Sequence, residues 1–120
     1  MSTIRADTFE NTAGGAPTLT GLYTAQAWGN WTQVGTHTLH NSGNVSSLTD
    51  GGVGITTASF SNSLSASTYS LGVAAGQSSN DPYRYMGVYT GKTTSSVQTA
   101  TMHDNVSRYD SEYNSIMAVL

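Results

Sequence analysis

The chain has 120 residues and a mass of 12.6 kDa, which suits one domain. Only 9% of its residues are charged and its formal net charge is −3, so four Lys and Arg residues are too few for a nucleic-acid surface. It has no cysteine, which excludes disulfides and thiolate sites, and no apolar run long enough to span a membrane.

Hydroxyl side chains dominate the composition, with 17 Ser and 18 Thr, whereas Leu, Ile, Val and Phe together number 20. Such a shortage of large apolar residues is typical of disorder only when the net charge is high, which is not the case here. The composition therefore indicates a β protein with a thin core. We expect part of its stability to come from partner subunits.

The N-terminal segment has a different character from the rest. Met1–Asn11 has no partner run, and the Gly- and Pro-containing stretch Thr12–Pro17 follows it as a break. We predict an extended arm over residues 1–20 that becomes ordered by contact with another chain, and a β-sandwich domain over residues 21–120. A frayed terminus is the alternative and carries equal weight.

Short alternating runs separated by Gly, Asn, Asp and Ser predict about seven or eight strands and no helix. The runs are Ala25–Trp31, Thr36–Leu39, Val45–Leu48, Val53–Phe60, Tyr69–Ala75, Tyr83–Tyr89, Val97–Met102 and Ile116–Val119. Asp50-Gly51-Gly52 predicts a hairpin turn, and the polar stretch Tyr109–Asn114 predicts a loop before the last strand. Turn signals at this spacing favour an all-β fold, an antiparallel β-sandwich or barrel.

Two histidine motifs are candidates for a metal site or a catalytic site. His37 and His40 lie three apart, which on a strand places them on opposite faces, so without a bulge they cannot chelate one metal ion. His103-Asp104 could pair with one of many serines, but the chain has no G-x-S-x-G motif. The sequence therefore predicts no enzyme, no catalytic residue, no metal site and no cofactor.

Gly91-Lys92-Thr93 resembles the end of a phosphate-binding loop only superficially. The motif requires glycine where this chain has Met86, and a strand-like run rather than a helix follows. A hairpin turn with Gly91 at a positive φ angle is the simpler interpretation.

Aromatic side chains are numerous for so few aliphatics, with seven Tyr, two Trp and two Phe. Trp28 and Trp31 lie on opposite strand faces, so one is expected in the core and the other against a neighbour. Near predicted loops, tyrosine rings can stack on sugars or on partner proteins. The candidates for inter-subunit or adhesive contacts are Trp28, Trp31, Tyr83, Tyr85, Tyr109 and Tyr113. Alternatively, the tyrosines fill the thin core with their hydroxyls at its rim.

Several segments resemble small structural proteins of tailed phages, common in viruses of cyanobacteria and marine bacteria. The opening Met1–Phe9 and Ala16–Gly21 are similar to the start of such proteins. Ala25–Trp31, AQAWGNW, resembles their A-K-A-W-V-N-F, and Gly43–Asp50, GNVSSLTD, resembles their F-N-V-S-S-I-T-D. In the second segment, glycine stands at position 43 where the group has an aromatic residue.

Two further segments extend the resemblance. Ser67–Leu71 occupies the place of an A-N-Y-x-V segment, and Ser115–Leu120 corresponds to a final hydrophobic strand. The stretch Gln77–Met102 has no counterpart, so no binding face is carried over to it. The resemblance implies a trimeric β-sandwich module, found on capsid surfaces and at the tips of tail fibres and spikes.

This resemblance implies a capsid cement or decoration protein that stabilises the outer capsid surface and that can also adhere to the host. Its expected partners are two further copies of the chain, the major capsid protein and a host cell-surface glycan, with no nucleic acid and no membrane. The arm, around Ile4, Arg5 and Phe9, would bind neighbouring subunits by strand addition. The alternative is a tail-fibre or tailspike tip that binds a host glycan. A fibre is expected to need a shaft and a virion-attachment region, for which the short arm leaves no room.

Overall fold

The computed structural model describes residues 10, 13, 24–78, 83–104 and 107–120, and over these ranges the fold is all-β. The arm residues Ile4, Arg5 and Phe9 lie outside these ranges, as does most of segment 1–20. The division into arm and domain therefore stays a prediction.

Nine strands lie in the described ranges. They are β1 (Ala25–Thr32), β2 (Thr38–Gly43), β3 (Val45–Asp50), β4 (Ile55–Phe60), β5 (Ser70–Gly76), β6 (Arg84–Lys92), β7 (Ser96–His103), β8 (Ser107–Arg108) and β9 (Tyr113–Val119). The two-residue β8 was not predicted, since it is too short for an alternating pattern. The predicted loop Tyr109–Asn114 also ends earlier, because β9 begins at Tyr113.

The strands form two antiparallel sheets. Sheet A has the order β2-β1-β9-β5, and sheet B has the order β3-β4-β7-β6 with β8 paired to β7. A single buried cluster draws on both sheets, so they pack face to face as a β-sandwich. The predicted all-β fold with antiparallel sheets is thereby confirmed.

Asn44 carries the chain from one sheet to the other. β2 ends at the residue before it and β3 begins at the residue after it, and its φ of 57° lies in the left-handed region that asparagine tolerates. Its amide Nδ2 donates to the carbonyl oxygens of Gln26 (3.0 Å) and Asn62 (2.9 Å), and its Oδ1 accepts from the Asn62 amide (2.7 Å). One side chain thus links β1 to the bend that follows β4.

The predicted hairpin between β3 and β4 is present. Gly52 and Gly54 take φ angles of 110° and 71°, and Asp50 Oδ1 accepts from the Gly52 amide at 2.8 Å. Gly91 also has a positive φ, 121°, as predicted, although it lies at a bulge in β6 and the turn itself comes two residues later. These glycines stand where a side chain would strain the backbone.

The apolar core occupies one part of the space between the sheets. Its buried members are Ala27, Trp31, Val45, Ala58, Phe60, Leu64, Tyr69, Val97, Ile116 and Ala118. Phe60 and Tyr69 meet edge to face with their ring centroids 6.0 Å apart. Large rings and small alanines together fill a core that has few aliphatic side chains, as the composition predicts.

Candidate functional site

The outer face of sheet A presents an exposed tryptophan aligned with a methionine. Along β1, Ala27 and Trp31 are buried whereas Trp28 is 40% exposed, and Met117 is exposed on β9. The two residues are direct cross-strand partners, and Gly72 of β5 is the next residue in the same row. Two large apolar side chains therefore stand together on the surface beside a position without a side chain.

The Trp28 ring lies over Gly43, its partner on β2. A Cβ atom added at Gly43 would collide with Trp28 Nε1 and come within 2.9 Å of Cδ1. Glycine is therefore required at position 43 for this ring orientation. The Trp28 ring therefore covers the space that a side chain at position 43 would occupy.

A shallow trough runs along sheet A from this pair. It consists of two adjoining hollows of about 420 Å³ each, which share Asn30, Ala74 and Ser115 as their floor. These three residues form one cross-strand row. Trp28 and Met117 line one hollow, and His40 and Tyr113 line the other. We call this surface the sheet A trough.

The trough combines aromatic rings with polar side chains that have no bonding partner. Along β9, Met117 and Tyr113 are four residues apart, or ~13 Å. Between and beside them, the side chains of Asn30, His40 and Ser115 form no hydrogen bond to any other residue in the described part of the chain. Asp, Glu, Lys and Arg are absent from its described lining. The surface is uncharged and able to accept another molecule's groups.

The aromatic candidates are divided between the two outer faces and the core. Trp28 and Tyr113 face outward on sheet A, whereas Trp31 is 1% exposed and lies in the core. Of the two tryptophans, Trp28 alone is available for a contact with another molecule, and Trp31 is corrected from a candidate contact to a core residue.

The other exposed tyrosines lie on the sheet B side of the sandwich. Tyr83, Tyr85 and Tyr89 are exposed and share one parity, as the sequence predicts. Tyr109 is exposed too, and the Arg84 guanidinium lies 4.4 Å from its ring centroid. Since these tyrosines are at the surface, the alternative that they fill the core does not apply to them.

His37 belongs to a buried polar network rather than to a metal site. Its Nδ1 lies 3.2 Å from Thr56 Oγ1 and its Nε2 lies 3.6 Å from Asp50 Oδ1, an order that resembles a catalytic triad. Thr56 is fully buried, however, and its hydroxyl also accepts a bond from Gln33 Nε2 at 3.0 Å. No substrate could reach that oxygen, so the arrangement is structural.

The other histidines also stand apart. His40 is exposed on β2 while His37 is turned inward, so the pair does not converge on one point. His103 Nδ1 lies 3.0 Å from Asp104 Oδ2, and its ring packs 5.6 Å from the Tyr109 ring. Over the residues that the structure describes, no group of three His, Asp or Glu side chains is arranged to hold a metal ion.

Beside the apolar core, the interior of the sandwich contains a polar region that the sequence pattern does not predict. Its members are all buried and lie on both sheets and on the loop before β9: Gln33, Thr56, Thr99, Thr101, Ser111 and Asn114. Thr101 Oγ1 donates to Asn114 Oδ1 at 3.1 Å, and Asn114 Nδ2 donates to the Ser111 carbonyl at 2.9 Å. The only sequence signal for this network was the high hydroxyl content.

Two groups have pKa values displaced by their surroundings. Burial raises the pKa of the Tyr69 phenol, which donates to the Ser96 carbonyl. The hydrogen bonds that Ser78 donates, from its side chain and its backbone amide, lower the pKa of the Glu112 carboxyl. The Ser78 amide lies 2.9 Å from Glu112 Oε2, so the charged carboxylate fixes the segment that follows β5.

Comparison of the chain with family models, curated proteins and solved structures gave no match. No helix long and apolar enough to cross a membrane occurs in the described ranges.

Proposed function

We propose that this chain is a virion structural protein of a tailed phage, a trimeric cement or decoration protein of the outer capsid surface. The resemblance of its sequence to small phage structural proteins supports this proposal. The observation that carries it is the sheet A trough, where Trp28 and Met117 stand exposed in one cross-strand row above a floor of small residues.

The composition of the trough suits a contact between proteins. Tryptophan, tyrosine and methionine are enriched in protein interfaces, and charged residues are depleted from their centres. Side chains of another chain can fill the hollows over Gly72 and Ala74 without desolvating an Asp, Glu, Lys or Arg side chain of the trough. In the proposed trimer, the trough of each subunit is covered by a neighbouring subunit.

Binding to the shell requires no strong individual contact. A trimer offers three copies of every capsid-binding group, and a lattice offers many sites, so weak contacts combine by avidity. The partner is the major capsid protein, and the arm around Ile4, Arg5 and Phe9 is the proposed adhesive segment. Host adhesion is an additional role of the same trimer.

Copy number in purified virions tests the capsid position. A cement protein should be present at hundreds of copies per particle, which quantitative mass spectrometry against the major capsid protein would measure. A few tens of copies or fewer would contradict the cement role and would favour the tail-fibre alternative.

That alternative, a tail-fibre or tailspike tip that binds a cell-surface glycan, also has a specific observation in its favour. Trp28 and Tyr113 expose rings at the two ends of the trough, and Asn30, His40 and Ser115 offer unpaired polar groups near them. Rings stack on the apolar faces of sugars while polar groups bond to hydroxyls. Glycan-array binding that depends on Trp28, together with a low copy number, would establish this function instead.

A further inference from the structure

The outer face of sheet B carries a groove of about 670 Å³, on the opposite side of the sandwich from the trough. Its floor is apolar and comes from Ile55 of β4 with Ala100 and Met102 of β7. Tyr89 of β6 and Arg108 of β8 line the same groove. The groove thus places one cationic side chain beside an apolar surface.

The guanidinium of Arg108 is held in place by Tyr89. Its Cζ lies 4.5 Å from the Tyr89 ring centroid, and Nη2 donates a hydrogen bond to Tyr89 Oη. A guanidinium has five N–H donors, so most of them remain for a ligand. Stacking restricts the side chain in advance, which lowers the entropy lost on binding.

Arg108 differs from Lys92 and Arg84, the other described Lys and Arg residues, in being exposed at the surface. Lys92 Nζ donates to the Tyr69 carbonyl, and Arg84 is buried against the Tyr109 ring. Arg108 is exposed and has no carboxylate of the described residues within salt-bridge distance. Its charge is therefore available to an anion from outside the chain.

Two carboxylates lie close in sequence to residues of the groove, and both interact with groups other than Arg108. Asp50, which precedes the wall residue Gly51, accepts from the Gly52 amide at 2.8 Å and lies 3.6 Å from His37 Nε2. Asp110, two residues after Arg108, accepts from the Gly54 amide at 2.8 Å. Neither one pairs with the guanidinium.

We propose that this groove binds a ligand with one carboxylate and an apolar body. The planar guanidinium fork matches a carboxylate in two-point geometry. A single exposed cation suits a single negative charge better than a phosphate, and Ile55, Ala100 and Met102 cover the apolar part of the ligand. Aromatic and aliphatic acids share this chemistry. The proposal does not depend on the capsid role, since the groove lies on the sheet that the trough leaves free.

The test is an NMR titration of the full chain with phenylacetate, with phenylacetamide as the neutral match of the same shape. Phenylacetate should shift the signals of Tyr89, Ser107 and Arg108 and bind at least ~10-fold more tightly than the amide, since a charge-assisted bond is lost with the carboxylate. Glucuronate, an acid without an apolar body, should bind more weakly than phenylacetate in a parallel titration, and tighter binding of glucuronate would overturn the proposal.

Variants localise the effect. Arg108→Gln should weaken phenylacetate binding by ~10-fold or more, whereas Tyr89→Phe, which keeps the stacked ring, should weaken it by only ~2- to 3-fold. Asn41→Gln, at an exposed position of β2 that lines neither the groove nor the trough, is the control and should change nothing, with unaltered spectra showing that each variant is folded. The proposal would be overturned if phenylacetate and phenylacetamide bound equally, if Arg108→Gln bound phenylacetate like the wild type, or if the signals that shifted lay only on other surfaces. Tighter binding of inorganic phosphate than of phenylacetate, or no saturable binding of phenylacetate, would also overturn it.

Discussion

Gln33 and Ser111 hold each other through two hydrogen bonds that run in opposite directions. The Gln33 amide donates to the Ser111 carbonyl at 2.9 Å, and the Ser111 amide donates to Gln33 Oε1 at 3.0 Å. Gln33 Nε2 reaches sheet B, where it donates to the Gly54 carbonyl and to Thr56 Oγ1, both at 3.0 Å. The buried residue Gln33 therefore links the end of β1 to the loop before β9 and to the start of β4.

This network replaces apolar packing in a chain with few aliphatic side chains. A buried polar group stabilises a fold only when its hydrogen bonds are formed, and it is costly when one partner is removed. Both polar atoms of the Gln33 side chain have partners, so the polar interior fixes the relative position of the two sheets.

Replacing Gln33 by Leu should lower the free energy of unfolding by about 3 kcal/mol or more, because the buried Ser111 amide and Gly54 carbonyl each lose a partner. Chemical denaturation measures this loss. Gln26→Leu, at an exposed position on β1, the strand that Gln33 directly follows, is the matched control and should change stability by less than ~0.5 kcal/mol. A Gln33→Leu variant as stable as its control would show that the network does not hold the sheets together.

Substitution of Asn44 separates backbone conformation from side-chain bonding. Asn44→Ala should destabilise the fold by ~2–4 kcal/mol, since it loses three hydrogen bonds and places alanine at a φ of 57°. Asn44→Gly also loses the three hydrogen bonds, but glycine adopts a positive φ without strain. This variant should therefore be ~1 kcal/mol more stable than Asn44→Ala. Thermal and chemical unfolding of both variants would measure the difference, and identical losses would mean that the left-handed conformation costs nothing.

The Glu112 carboxylate should contribute to stability in a pH-dependent way. Because its pKa in the folded state is lowered by Ser78, the contribution is present above the ordinary value of 4.5 and is lost as the pH falls through the lower folded-state pKa. Unfolding of the wild type and of Glu112→Gln, measured from pH 7 to pH 3, should show a stability difference that shrinks at the acidic end. A difference independent of pH would contradict the Ser78 contact.

The sequence pattern located strands best where apolar and polar residues alternate. β5 follows such a run, Tyr69–Ala75, and the exposed Tyr83 and Tyr85 follow their predicted parity. β2 was predicted as Thr36–Leu39 but spans Thr38–Gly43, because its second half consists of polar residues and glycine and has no alternation to detect. The order of the strands within each sheet could not be predicted from the pattern, since it depends on contacts between strands that are distant in sequence.

The candidate surfaces were predictable only in part. Opposite faces for Trp28 and Trp31 followed from a spacing of three, but the pairing of Trp28 with Met117 required the register of β1 against β9. Gln33 gave no signal at all, because periodicity identifies buried apolar residues and cannot recognise a buried amide whose partners come from other strands. The Arg108–Tyr89 contact likewise joins residues 19 positions apart, across a bulge in β6.

Sedimentation equilibrium of the full chain and of Trp28→Ser tests most directly whether the sheet A trough is an assembly surface. Trp28 is exposed and points away from the core, so this substitution should leave the subunit folded. We expect the wild type to sediment with the mass of three 12.6 kDa chains and the variant to dissociate toward monomer. A wild-type chain that remains monomeric at every concentration, or a trimer that Trp28→Ser leaves intact, would contradict the account.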